Sequence, residues 1–321
     1  MGTGSVSASV RNGAFGYRAL TDITTGQSNQ AFGYDAATNL TIGYYNVAIG
    51  TNALYTEDVG DRTTAVGESA FYSQNSNTNN EITGNVGVGF GVGYYNVTGI
   101  DNTYIGYKSG YGATGNSNTG NTGVGMESLL DITVGEYNTS VGWKSGHNLQ
   151  GGDYNVFVGN YAGEGTTAGN KMTFVGGAAG RGVATTDADG AVGVGYSALN
   201  ALTSGSKNVA IGYQAQASQT TGNRNTALGY EAMYTADGGE DFNTVIGSQA
   251  GYYINNDASH DNVIIGKNAL QGGTGTILGN VAIGSNAMDA VSNNNQTGTV
   301  AIGADALGAL TSGSGNLAVG Y

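Results

Sequence analysis

A short pattern of apolar and polar positions recurs along the chain, and in each copy the apolar segment ends at a glycine. The stretches NVAIGTNAL (46–54) and NVAIGSNAM (280–288) are nearly identical, and related stretches lie between them. We count the copies on the glycine that ends each apolar triplet, and we call these residues the anchor glycines. They are Gly16, Gly33, Gly50, Gly67, Gly89, Gly106, Gly125, Gly142, Gly159, Gly176, Gly195, Gly212, Gly229, Gly247, Gly266, Gly284, Gly303 and Gly320. The copies fill residues 1–321, which predicts a single repeat domain.

The spacing of the copies predicts the fold class. Ten of the seventeen spacings are 17 residues, six are 18 or 19, and one is 22. Such a copy is too short for two helices, and its apolar segments are short, β-branched and interrupted by glycine. Each copy therefore predicts one coil of an all-β parallel β-solenoid, or β-roll, of about 18 coils. The absence of proline agrees, because proline cannot donate to a strand ladder.

Two polar or aromatic columns accompany the apolar triplet. Asparagine stands four residues before the anchor in fourteen of eighteen copies, and stacking predicts a hydrogen-bonded ladder of these side chains. An aromatic residue often follows the anchor, as at Tyr196, Tyr213 and Tyr230, and predicts stacked rings. We interpret both columns as structural, with a sugar-binding aromatic track as the alternative.

The strand before each anchor is apolar on both faces. We expect the residues three and one before the anchor to point into the coil, and the intervening residue to face outward. That intervening residue is never charged, and it includes Tyr104, Phe157, Phe174, Val245 and Ile264. Because a second apolar face needs cover, these residues predict lateral packing with copies of the same chain. A homotrimer is the expected assembly, with a dimer or a single thin rod as alternatives.

The repeat also carries a family resemblance. NVAIGTNAL, NVAIGSNAM and TVAIGADAL (299–307) resemble the head repeats of trimeric autotransporter adhesins, and NTALGYEAMYT (225–235) is similar to repeats of phage tail fibres. The adhesin resemblance implies a left-handed parallel β-roll in a trimer, although the period here is longer. Both resemblances imply a fibre or an attachment function.

Composition argues against most chemistry. Without cysteine there is no thiolate nucleophile or ligand, and the two histidines, His147 and His260, lie in different copies. A net charge of −13 argues against nucleic acid and anionic membranes as partners. Asp187 and Asp189 only faintly resemble a calcium loop, so solvated corner carboxylates are the better interpretation. We predict no enzyme activity, no catalytic, cofactor or metal site, and no membrane insertion.

The sequence favours a structural subunit of an extracellular or virion fibre, whose principal partner is itself. The alternative is an adhesin head or receptor-binding fibre module that recognises a surface ligand such as a glycan. For that alternative, residues 72–84, which produce the 22-residue spacing, are the first candidate binding loop.

The repeat also predicts head-to-tail polymerisation. If residue 321 of one chain is followed by residue 1 of the next, the distance from Gly320 to the next Gly16 is 17 residues, the commonest spacing. Donated half coils would then join subunits into a filament. The residues expected at this junction are Asn316, Leu317, Ala318, Val319, Gly320 and Tyr321 on one side and Ser5, Val6, Ser7 and Val10 on the other.

Overall fold

The chain folds as an all-β parallel solenoid of about eighteen coils, with almost no helix. The structure is a computed structural model that describes residues 11–79, 81–182, 184–291 and 293–321. Its residues fall into two compact units, Met1–Asn155 and Val156–Tyr321. Each unit is a stack of coils, as the 17–19-residue period predicts.

Every coil contributes one three-residue strand that ends just before the anchor glycine. In the first unit these strands are β1 (Gly13–Phe15), β2 (Gln30–Phe32), β3 (Val47–Ile49), β4 (Thr64–Val66), β5 (Val86–Val88), β6 (Thr103–Ile105), β7 (Thr122–Val124) and β8 (Thr139–Val141).

The second unit continues the same element order and adds a few short elements. Its elements are β9 (Val156–Val158), β10 (Thr173–Val175), a 3₁₀ helix (Thr186–Ala188), β11 (Val192–Val194), β12 (Val209–Ile211), β13 (Thr226–Leu228), β14 (Thr244–Ile246), β15 (Val263–Ile265), β16 (Ile277–Leu278), β17 (Val281–Ile283), β18 (Gln296–Thr297), β19 (Val300–Ile302), β20 (Gly313–Ser314) and β21 (Leu317–Val319). Strands β16, β18 and β20 form a second, three-stranded parallel sheet.

Equivalent residues of successive coils pair directly. In the first unit Ala48 of β3 lies opposite Ala65 of β4, and in the second unit Ala210 of β12 lies opposite Ala227 of β13. All of these pairs are parallel. The register follows from the repeat, because a one-residue slip would exchange the inner and outer side chains of a strand.

The anchor position needs glycine because of both its backbone and its neighbours. Gly212 has φ +142°, a region that is essentially limited to glycine, and a Cβ atom there would overlap the carbonyl oxygen of Gly229 in the next coil. The same close approach recurs from Gly195 to Gly212. The glycines therefore allow the coil backbones to stack.

After each anchor the chain turns through left-handed backbone conformations at the second and fourth residues. Asn52 and Leu54 have φ +56° and +52°, and Ser197 and Leu199 repeat the turn at +54° and +52°. A non-glycine residue in this region costs about 1–2 kcal/mol. Contacts with the neighbouring coils must offset this repeated cost, which makes an isolated coil unfavourable.

The structure reverses the expected inner and outer faces of the strand. In the three-residue strands between β1 and β21 the middle residue points into the coil and is buried, and its two neighbours point out. Tyr104, Phe157, Phe174, Val245 and Ile264 are fully buried within their own coils, so they do not form the lateral face for which we expected them. The expected inward residues Val141 and Ile211 are exposed instead.

The coil interior explains why the middle strand residue varies so widely in size. Where it is aromatic, the fourth residue after the anchor is glycine: a Cβ at Gly163 would lie 2.8 Å from Phe157 Cδ1. Where the middle residue is alanine, the fourth residue is in most coils larger: Ala227 is matched by Met233, and both are fully buried. The two positions therefore share one volume, as close packing requires.

This shared volume predicts a compensating pair of substitutions in the second unit. Phe157→Ala should leave a cavity and cost about 3–5 kcal/mol, and Gly163→Leu alone should overpack the coil by about 1–3 kcal/mol. Leucine is acceptable at this backbone position, because Leu199 occupies the equivalent place in another coil. The double variant should therefore recover about 2 kcal/mol or more relative to the sum of the single changes. Denaturant unfolding measures the difference, and simple additivity would show that the two sites do not share a volume.

Candidate functional site: the outer face of the strands

In each unit, the outer face of the strands carries a row of aliphatic and aromatic side chains. We call the row formed by the residue before each anchor the aliphatic stripe. In the first unit it comprises Phe15, Phe32, Ile49, Val66, Val88, Ile105, Val124 and Val141. In the second unit it comprises Val158, Val175, Val194, Ile211, Leu228, Ile246, Ile265, Ile283, Ile302 and Val319.

The aliphatic stripe is accessible to solvent in the single chain. Ile49 is 40% exposed, and Ile211 and Leu228 are 38% and 44% exposed. The parallel outer row, three residues before each anchor, contains Val, Thr, Leu, Gln and Gly, and therefore no charge. On soluble proteins in general, large exposed apolar surfaces are often interaction sites, which makes the stripe the candidate site of this chain.

Stacked aromatic rings border the strands, as the Tyr column predicts. Tyr196, Tyr213 and Tyr230 stack with ring centroids 5.5 and 5.4 Å apart. Another column, which we had not singled out, lies five residues after the anchors, where Tyr55 and Tyr72 stack at 5.1 Å. Within each stack, a ring covers one face of its neighbour, which leaves fewer ring faces open to solvent. A sugar-binding track needs exposed ring faces, so the geometry favours the structural interpretation.

The predicted asparagine ladder is present, and it joins each coil to the next through two kinds of hydrogen bond. In one rung the backbone N–H of Asn138 donates to Asn121 Oδ1 at 2.9 Å, and Asn121 Nδ2 donates to the Gly135 carbonyl at 2.8 Å. In another, the N–H of Asn225 donates to Asn208 Oδ1 at 2.9 Å. Each buried amide thereby satisfies backbone groups at a corner where no strand partner is available.

In the first unit, a buried network accompanies the ladder where Thr63 replaces asparagine. At Thr63, the Oγ1 atom accepts a hydrogen bond from Gln74 Nε2 at 2.7 Å, and Gln74 Oε1 accepts one from Asn85 Nδ2 at 3.0 Å. Gln74 also donates to the buried Glu57. Residues 72–84, our candidate binding loop, thus contribute Gln74 to the interior of the first unit.

The ladder predicts a large cost for removing one buried amide. Asn121→Ala would leave the Asn138 N–H and the Gly135 carbonyl buried without their partners, at about 1–3 kcal/mol for each group. Chemical denaturation should therefore show a loss of about 2–5 kcal/mol. Asn160→Ala, at an exposed asparagine, is the control and should change stability by less than about 0.5 kcal/mol. Equal effects of the two substitutions would mean that the ladder does not stabilise the stack.

The proposed junction residues are described on one side only. Leu317 and Val319 lie in β21, which pairs with β19, and both side chains are largely exposed. The Asn316 carbonyl accepts a hydrogen bond from the Val300 N–H at 2.8 Å. Ser5, Val6, Ser7 and Val10 lie outside the described residues. Head-to-tail polymerisation therefore stays a prediction of the sequence.

The residues considered for chemistry are held in separate surroundings. His147 lies 3.8 Å from Glu127 Oε2 in the first unit, and the exposed His260 Nδ1 lies 2.8 Å from Asp261 Oδ2 in the second. Asp189 accepts a hydrogen bond from the Asn170 N–H at 2.7 Å, which gives this carboxylate a structural partner.

One acidic group was missed from the sequence. Asp237, Glu240 and Asp257 bring three carboxylates together, although twenty residues separate the first from the last. Two of these residues lie in one coil and the third in the next, and the turns between them bring the three together. Their spacing in the sequence matches no recognisable motif. The coil geometry was needed to find this group.

Comparison with known proteins adds no family to these observations. Within the described ranges, no helix has the length and apolar character needed to span a bilayer. The solenoid is compatible with fibre-like and adhesin-like repeat folds. No protein-family model matches the chain, and a search of curated proteins finds no significant match.

Proposed function

We propose that the protein is a structural subunit of an extracellular or virion fibre, in which copies of the chain pack side by side through the aliphatic stripe. The observation that carries this proposal is the aliphatic stripe, which is apolar in every copy, together with the absence of charge from the parallel outer row. A surface exposed to water throughout the life of the protein would have no physical reason to remain apolar over so many coils.

A second copy of the chain is the partner that fits this face best. A solenoid presents its stripe at the strand spacing of about 4.8 Å, and only a partner with the same repeat can match it coil by coil. Covering a half-exposed isoleucine contributes on the order of 1 kcal/mol, so many coils together would give a stable interface. The resemblance to trimeric adhesin heads favours a homotrimer.

The same features support mechanical rather than catalytic work. Strand pairs join neighbouring coils, and the asparagine ladder and stacked rings add to them in many of the coils. The stability of such an array increases with the number of contacts between neighbouring coils. A long stack of coils is therefore suited to act as a stiff spacer. Head-to-tail growth into a filament is an additional part of the proposal, and it rests on the period of the sequence alone.

Charged substitutions in the aliphatic stripe should disrupt association between chains without disrupting the fold of each chain. Ile211→Lys together with Leu228→Lys should leave the strand-rich circular dichroism spectrum unchanged, because both side chains point away from the coil interior. The pair should convert the assembly to single chains in sedimentation velocity, since lysines buried against another copy would lack partners. Thr186→Lys, an exposed change in the 3₁₀ helix, is the control and should keep the native mass.

An unchanged mass for the double-lysine variant would contradict lateral packing through the stripe. A single-chain mass for the unsubstituted protein across the accessible concentration range would contradict it as well. Loss of strand signal in the variant would show instead that these residues belong to the coil interior.

The alternative function is a receptor-binding or adhesin module. A surface groove of about 450 Å³ in the second unit supports it, with Tyr253, Asn255, Gln271 and Asn293 in its lining. An aromatic ring beside several amide groups suits a polar ligand such as a glycan. A glycan array tests this alternative, which requires a specific signal that Tyr253→Ala removes.

A further inference from the structure

Among the described residues, the glutamates Glu57 and Glu240 are fully buried, and their surroundings differ sharply. In the first unit, Glu57 Oε1 accepts hydrogen bonds from the backbone N–H groups of Val59, Gly60 and Ser76. Its Oε2 accepts from Gln74 Nε2 at 2.9 Å and from Ser76 Oγ at 3.0 Å. Five donors compensate the buried negative charge of Glu57, as a buried carboxylate requires.

Glu240, in the second unit, lacks this compensation. Its Oε2 accepts one hydrogen bond, from the Gly238 N–H at 3.0 Å, while its buried Oε1 has no hydrogen-bond partner among the described residues. Burial raises the pKa of the Glu240 carboxyl, with nearby Asp237 and Asp257 adding to the rise. The site therefore holds an acidic oxygen that is removed from water and faces no positive charge.

The neighbouring carboxylates increase the negative charge at this point. Asp237 and Glu240 belong to one coil and Asp257 to the next, and ligand oxygens of the three lie within 4.8 Å of one another. Within the described residues, no lysine, arginine or histidine forms an ion pair with any of them. The Gly239 N–H donates to Asp257 Oδ1 at 3.1 Å, which fixes the second coil's carboxylate in place.

The dimensions of this group suit a calcium ion. Calcium binds oxygen ligands at about 2.3–2.6 Å, so two ligands of one ion are at most about 5 Å apart. The buried Gln219 contacts the same turn, since its Nε2 donates to the Gly238 carbonyl at 2.8 Å and its Oε1 has no hydrogen-bond partner among the described residues. Asp237 and Asp257 are exposed, which leaves room for water to complete the coordination.

We propose that Asp237, Glu240 and Asp257 bind a Ca²⁺ ion that bridges two successive coils of the second unit. The ion would provide the missing partner for Glu240 and remove the repulsion between the stacked aspartates. Because it contacts both coils, its binding would stabilise their stacking. Calcium fits better than magnesium, which demands near-ideal octahedral geometry and shorter distances.

Thermal unfolding and titration calorimetry with CaCl₂ test this site on the full chain after treatment with EDTA. We expect added Ca²⁺ to raise the Tm and to bind with measurable heat, and equimolar Mg²⁺ to have a smaller effect. Glu240→Gln should weaken Ca²⁺ binding by about tenfold or more, a loss of about 1.4 kcal/mol. The same variant should fold at least as well as the unsubstituted chain in EDTA, because it removes an uncompensated buried charge.

Two controls make the result specific. Asp187→Asn removes one exposed carboxylate elsewhere in the second unit and should keep the full Ca²⁺ response. Asp257→Asn should lose the response as Glu240→Gln does, and it serves as the second variant if Glu240→Gln fails to fold. The proposal is overturned if millimolar Ca²⁺ gives neither heat nor a Tm shift. A Ca²⁺ response that survives in folded Glu240→Gln or Asp257→Asn would overturn it equally.

Discussion

The asparagine ladder is the interaction on which the rest of the structure depends. A coil of about 17 residues spends only three of them in its main strand, so most of its corner backbone lacks a strand partner. At Asn121 one side chain accepts from the next asparagine's N–H and donates to the next coil's glycine carbonyl. Both bonds require the next coil to stack in register, and so the ladder fixes the period as well as the fold.

Stacking in register explains the other unusual features of the chain. The anchor glycines are needed because the coil backbones approach too closely for a Cβ atom, as at Gly212 and Gly229. Left-handed backbone conformations at residues such as Asn52 and Leu54 are tolerated because successive coils repeat the same turn and pack against each other. The outer rows of the strands are then uncharged along each unit, and they form the surface that we propose for lateral association.

The sequence predicted the features that repeat from copy to copy. It did not predict correctly which side chains of each strand point into the coil and which point out. The glycine spacing predicted the solenoid, and the asparagine column predicted the ladder that Asn121 and Asn138 form. From the sequence, the row before each anchor was assigned to the core because it is apolar in every copy, and an unbroken apolar row usually indicates a core. In the structure this row lies on the outer face instead. A signal was available: Phe157 is accompanied by Gly163, whereas Ala227 is accompanied by Met233, and residues that exchange volume in this way share an interior.

The acidic group around Glu240 illustrates a different limit. Glu57 and Glu240 look alike in the sequence, since both are acidic residues in corners of the repeat. Only the hydrogen bonds distinguish them, with five donors for Glu57 and one for Glu240. Some hydrogen-bond donors to a buried glutamate come from the adjacent coil, and their positions depend on the exact length of the turn between the coils. The repeat pattern does not specify that length.

Cysteine labelling of two adjacent residues is the most direct measurement of the central claim, because the natural chain contains no cysteine. Ala227 points into the coil and is fully buried, and Leu228 lies on the aliphatic stripe and is 44% exposed. We predict that Ala227→Cys resists a thiol reagent in every folded state, whereas Leu228→Cys reacts in dissociated chains and is protected in the assembly. Rapid labelling at residue 227, or labelling at residue 228 that is unaffected by association, would contradict the arrangement described.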